Sequence, residues 1–131
     1  MKLRIRGNSL RLRLTKTEVA DLAATGFVEE RIQLGANPDH ALLYSLELSP
    51  TATQPTTTFR DSQIRILLPA TEGRVWTQNE TIGIYGEEAW GLKLTIEKDF
   101  KCLDPRRDED ESDAFEHPSG VGHVVCGAEE D

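Results

Sequence analysis

Long apolar runs are missing from this chain: none exceeds a few residues, whereas a membrane-crossing helix needs about 20. No membrane span is therefore expected. Cysteine is scarce, with only Cys102 and Cys126, and the opening MKLRIRGNS has no apolar signal core. Two thiols without an export signal are more often reduced than paired, so the expected compartment is the cytoplasm. No Gly-rich phosphate loop precedes a helix, because Gly83, Gly86 and Gly91 punctuate strand-like segments. No Ser/His/Asp or Cys/His arrangement stands out either, since the three histidines fall in loops or in the tail.

What is present is one domain's worth of chain, 131 residues, with a lopsided charge. The net charge of −8 is that of residues 104–131, which hold ten acidic side chains against Arg106 and Arg107. The first 16 residues carry Lys2, Arg4, Arg6, Arg11, Arg13 and Lys16 and no acid. Apolar periodicity ends near Leu103, so residues 1–103 read as a single α+β domain and 104–131 as an acidic, flexible tail. An acidic whole argues against nucleic acid as a partner.

Lys2, Arg4 and Arg6 alternate with Leu3 and Ile5, and Arg11 and Arg13 with Leu10, Leu12 and Leu14, which is the period of half-buried strands. A turn at Gly7 and Asn8 pairs Ile5 with Leu10 and Leu3 with Leu12. The same register sets Arg4 opposite Arg11 and Lys2 opposite Arg13, a repulsion of up to about 1 kcal/mol per pair. Thr15 and Glu18 form a capping box before a helix at 16–25, closed by Gly26. Strands follow at 27–34, 41–48, 57–60, 63–68, 81–85 and 92–100, with a weaker helix at 71–78 interrupted by Gly73. No internal repeat is visible. Short connections favour antiparallel neighbours, so the expected fold is mainly one antiparallel meander of about seven strands curling toward an open barrel, with a helix after the first hairpin.

The segments MKLRIRGNSLRLRLTKTEV (1–19) and TIEKDFKCLDPRRDEDESDAF (95–115) resemble the signatures of an uncharacterised bacterial domain family. That family opens on MKxRIxGNSxRxRLT and closes on EKDFxCL. The resemblance implies that the arginine-rich hairpin and residues 97–100 are family features. It brings no activity, ligand or catalytic residue with it.

Arg4, Arg6, Arg11 and Arg13 share one face of the hairpin, and guanidinium forks suit carboxylate or phosphate, so they form the candidate anion site. The same arginines could instead be solvated, paired with acids of neighbouring strands, or covered by the acidic tail. Cys102, His117, His123 and Cys126 have zinc-ligand chemistry, but only one pair is close and no Cys-x-x-Cys knuckle is present, so no metal and no cofactor is expected. The acidic run at 108–113 fails the EF-hand pattern at its Gly and its final Glu. Glu29, Glu30, Glu47 and Glu97 with Lys98 alternate mostly outward, and Trp76, Tyr85 and Trp90 read as core plugs. Two functions follow. One is a non-enzymatic binding module that meets a protein or an anionic small molecule through the hairpin or the tail. The other is a small enzyme or carrier for a phosphorylated metabolite, and a homodimer through the first strand's edge is a further partner to consider.

Overall fold

The computed structural model describes residues 1–100, Asp113, Phe115 and Glu116. Alternation of cationic and aliphatic residues folds the start of the chain into a hairpin of β1 (Lys2–Ile5) and β2 (Ser9–Leu14). Its register pairs Lys2 with Arg13, Leu3 with Leu12, Arg4 with Arg11 and Ile5 with Leu10. Helix α1 (Lys16–Thr25) starts on the Thr15–Glu18 capping box and ends at Gly26, whose φ of 78° is the left-handed conformation that glycine adopts without a Cβ penalty. Then come β3 (Phe27–Gln33), β4 (Ala41–Ser49), β5 (Thr56–Arg60), β6 (Gln63–Pro69), α2 (Ala70–Gln78), β7 (Gly83–Glu87) and β8 (Lys93–Lys98).

Four antiparallel hairpins form between consecutive strands, β1–β2, β3–β4, β5–β6 and β7–β8. They do not continue into one meander. The hairpins join two by two through parallel pairs, β2 with β8 and β4 with β6, giving one sheet ordered β1-β2-β8-β7 and another ordered β3-β4-β6-β5. The expected single antiparallel sheet of about seven strands is corrected to eight strands in two mixed sheets that do not close. The physical reason lies in the helices. Each one carries the chain from a hairpin in one sheet to a hairpin in the other, so strands that meet in parallel are far apart in sequence. Short loops settle only local partners.

The same order of elements runs twice, although no repeat is visible in the sequence. The halves β1-β2-α1-β3-β4 and β5-β6-α2-β7-β8 have matching order, and each sheet takes one hairpin from each half. Registers correspond residue by residue: Ile5 with Leu10 matches Phe59 with Ile64, and Leu12 with Ile96 matches Ile66 with Leu46. The Lys93 N–H donates to the Asn8 carbonyl at 3.0 Å, and in the same place the Leu43 N–H donates to the Ser62 carbonyl at 3.0 Å. Few side chains repeat between the halves, so residue patterns do not display the duplication.

One core unites both sheets and both helices, from Leu10, Leu12 and Leu14 through Leu22, Leu46 and Ile66 to Trp76, Leu94 and Ile96. Side chains tie the sheet edges together. The Met1 amine binds Glu18 and Glu30, the Tyr44 hydroxyl donates to the Met1 carbonyl at 2.8 Å, and the buried Glu88 carboxylate accepts from the Thr56 hydroxyl (2.8 Å) and the Thr57 N–H (2.6 Å). Beyond β8, the Phe115 N–H donates to the Asp99 carbonyl, and the Asp113 carbonyl and carboxylate accept from the N–H groups of Lys16 and Thr17. Hydrogen bonds from the Thr15 hydroxyl and from Thr17 hold the Asp113 carboxyl below its ordinary value. No helix among the described residues is long and apolar enough to cross a membrane.

Candidate functional site

Strand alternation decides which side chains leave the core. In the β1-β2-β8-β7 sheet, Leu3, Leu10, Leu12, Leu14, Leu94 and Ile96 turn inward, and the alternate positions form the outer face. Across that face one row runs Arg4, Arg11, Thr95, Tyr85, and the next runs Lys2, Arg13, Glu97, Gly83. Arg6 lies at the turn that follows β1, where its N–H donates to the Ser9 carbonyl. The β1–β2 register thus brings the predicted arginines together on one sheet surface, with Arg6 at its end.

Glu97 is the carboxylate at the centre of the face. Its Oε1 lies 3.8 Å from the Arg11 Nε and 3.6 Å from the Arg13 Nε, so one acid serves two guanidiniums. Lys2 pairs with Asp99 at 3.3 Å, and Arg4 and Arg6 are engaged in interactions as well. Both ion pairs of Glu97 are partly exposed and of modest individual strength. Among the described residues of this face, Lys2, Arg4, Arg6, Arg11, Arg13 and Lys93 outnumber Glu87, Glu97 and Asp99.

Tyr85 completes the face and is 61% exposed, as Trp90 also is largely exposed, so neither is the core plug expected; only Trp76 is buried. A Cβ at Gly83 would stand 3.0 Å from the Tyr85 hydroxyl, 3.0 Å from the Glu97 Cγ and 2.8 Å from the Ile96 carbonyl. Glycine is what lets Tyr85 and Glu97 approach over this strand. Partial burial and the charge of Glu97 push the Tyr85 hydroxyl above its ordinary pKa, against the pull of Arg11.

Of the other residues singled out, Glu47 faces outward in a two-bonded pair with Arg65 (2.7 and 2.9 Å). Cys102, His117, His123, Cys126 and the acids at 108–111 lie outside the described residues. Lys98, grouped in the sequence with mostly outward side chains, turns inward instead. It continues the inward series Leu94, Ile96, Lys98 and is 3% exposed, a signal present in the alternation itself. Its ammonium donates to the Asn79 carbonyl and lies 5.2 Å from the Trp76 ring and 5.7 Å from the Phe115 ring. Burial pushes its pKa below the ordinary lysine value, with Glu80 opposing.

Comparison with known proteins adds a family and no activity. The family described as "Family of unknown function (DUF7009)" matches residues 1–119. No curated protein and no solved structure matches the chain.

Proposed function

Because the chain belongs to that family of unknown function, we propose from its own geometry that it is a non-enzymatic binding module whose basic sheet face receives an acidic protein segment or an anionic small molecule. The observation that carries this reading is the transverse stacking of like charges. Lys2 stands opposite Arg13 and Arg4 opposite Arg11, with Glu97 the one carboxylate among the described residues that pairs with both guanidiniums of β2. A sheet needs no such arrangement to fold, since opposed cations cost up to about 1 kcal/mol per pair. An anionic partner relieves that cost and gains forked hydrogen bonds. The outer face of an open sheet suits a docking surface better than a reaction chamber. An enzyme or carrier for a phosphorylated metabolite would need the same arginines around a concavity that excludes water. The acidic character of the whole chain keeps nucleic acid out of this proposal.

The test is titration of the full chain with a fluorescent oligoglutamate peptide and, separately, with pyrophosphate, at low and high salt. Saturable binding that weakens with salt and falls by roughly ten-fold in an Arg4→Gln, Arg11→Gln double variant supports the face. Absence of binding at low salt, or binding indifferent to the double variant, rejects it.

A further inference from the structure

The duplicated fold contains its own control. Each half encloses a groove between its helix and the strand that follows. Glu18, Asp21, Thr25 and Val28 line the first, of about 400 Å³, and Glu72, Val75, Asn79 and Ile84 hold the corresponding places in the second, of about 550 Å³. Both volumes are in the range of small-ligand sites, so size does not separate the two grooves.

The halves differ in what stands behind these walls. In the first, Leu22 is the seventh residue of its helix, and Leu48 pairs with Leu68. In the second, Trp76 is the seventh residue of α2, and Lys98 pairs with Leu14. Leucine at both places packs the first half with no polar group to satisfy. The second half instead buries an ammonium and an indole N–H, each costly to remove from water. Among the described residues Lys98 has partial compensation, the Asn79 carbonyl, two aromatic faces and the charge of the exposed Glu80. The Trp76 Nε1 has no acceptor among the described residues, although Trp76 is 2% exposed. Packing requires neither substitution, and deviations of this kind concentrate at functional positions.

Trp76 and Asn79 both line the groove and both touch Lys98, so the ammonium stands directly behind that wall. Residues 79–82, which connect α2 to β7, are exposed. The wall on that side is therefore a loop rather than a packed strand, and a ligand reaching the ammonium through it requires Asn79 to move aside. We propose that the α2–β7 groove binds a small organic acid with an apolar body, its carboxylate taking the Trp76 N–H and the Lys98 ammonium. The carboxylate supplies the acceptor that the indole lacks among the described residues and adds a counter-charge to that of the exposed Glu80 beside the lysine. The apolar body lies against Pro69, Val75 and Ile84. Glu72 on the exposed rim of the groove opposes the carboxylate and limits its affinity, as a further acid at position 75 would do more strongly.

The chain has two tryptophans, so Trp90→Phe leaves Trp76 as the sole indole reporter. In this full-length variant, phenylacetate and its neutral isostere phenylacetamide are titrated while Trp76 fluorescence is followed. The expected result is a saturable change with phenylacetate and binding weaker by roughly ten-fold for the amide, the preference that a charged hydrogen bond confers. Lys98→Met is expected to erase the preference. Val75→Glu, a change on an exposed residue that leaves the core alone, is expected to weaken phenylacetate through like charge. Absence of a saturable change up to about 10 mM, where even weak sites fill, overturns the proposal. So does equal affinity for acid and amide, or an acid preference that survives in a folded Lys98→Met protein.

Discussion

Lys98 shows how a single side chain departs from the rule of its strand. Its neighbours on the inward face, Leu94 and Ile96, are fully buried aliphatics, and burial of an ammonium in that series is unfavourable. Lys98→Met keeps the length of the stem and removes the charge. The Asn79 carbonyl it leaves behind belongs to an exposed residue that water can serve. The variant is therefore expected to be more stable than the parent by about 1 kcal/mol, read as a raised melting temperature, while losing the acid preference of the groove. Glu18 is the opposite case, an ion whose partners stabilise it. Burial opposes both charges of the Met1–Glu18 pair. Hydrogen bonds nevertheless raise the amine above 8.0 and, with the Thr15 N–H, hold the carboxyl below 4.5. A lowered acid contributes fully above its unfolded pKa and a raised amine contributes fully below its own. Melting temperature should thus be flat between pH 4.5 and 8.0 for this pair, fall as pH drops through the lowered Glu18 value, and fall again as pH climbs through the raised amine value. In Glu18→Gln both limbs should flatten; limbs of unchanged steepness would place the pH dependence elsewhere.

At the scale of elements, chain-local chemistry was legible and long-range pairing was not. The Thr15–Glu18 box and Gly26 announced α1 to the residue, and the alternation of residues 2–14 announced both the first hairpin and its register. All four hairpins follow from short turns. The parallel contacts β2–β8 and β4–β6 leave no mark in any one segment, because each strand reads the same beside either kind of neighbour. The arginine face was legible for the same local reason, whereas its carboxylate, Glu97, enters through a parallel pair and was not. Gly73 illustrates the gap from the other side. In sequence it weakens α2, since glycine costs a helix about 1 kcal/mol against alanine. In the fold a Cβ there would stand 2.2 Å from the Leu48 Cδ2, so the glycine is what lets α2 lie against β4. Gly73→Ala should lower stability by about 1 kcal/mol despite the gain in propensity, with overpacking outweighing it. Adding Leu48→Ala should make the Gly73→Ala step favourable, and equal effects in both backgrounds would deny the contact.

At the scale of the whole molecule, the ledger of contacts extends past the place where apolar periodicity stops. The Phe115 ring meets the Phe100 ring edge-on at 5.5 Å and lies 5.7 Å from the Lys98 ammonium, while Asp113 serves the exposed N–H groups at the start of α1. Both contacts bring a distant stretch of chain onto the junction of β8 and α1. An anion at a helix N-terminus is favourable, and the Phe115 ring offers the Lys98 ammonium a second aromatic neighbour beside Trp76. A boundary after residue 103 severs these contacts, whereas one after 119, where the family match ends, keeps them. Truncation after residue 119 should leave the melting temperature within a few degrees of the full chain. Truncation after residue 103 should lower it markedly, as expected when a packed aromatic and a helix-terminal partner are removed together. The shorter protein should also show a more solvated Trp76, visible as a red-shifted emission in the Trp90→Phe background. Equal melting temperatures and emission for the two truncations would mean that residues 113–116 add nothing to the fold, and that Lys98 is enclosed by the two sheets and α2 alone.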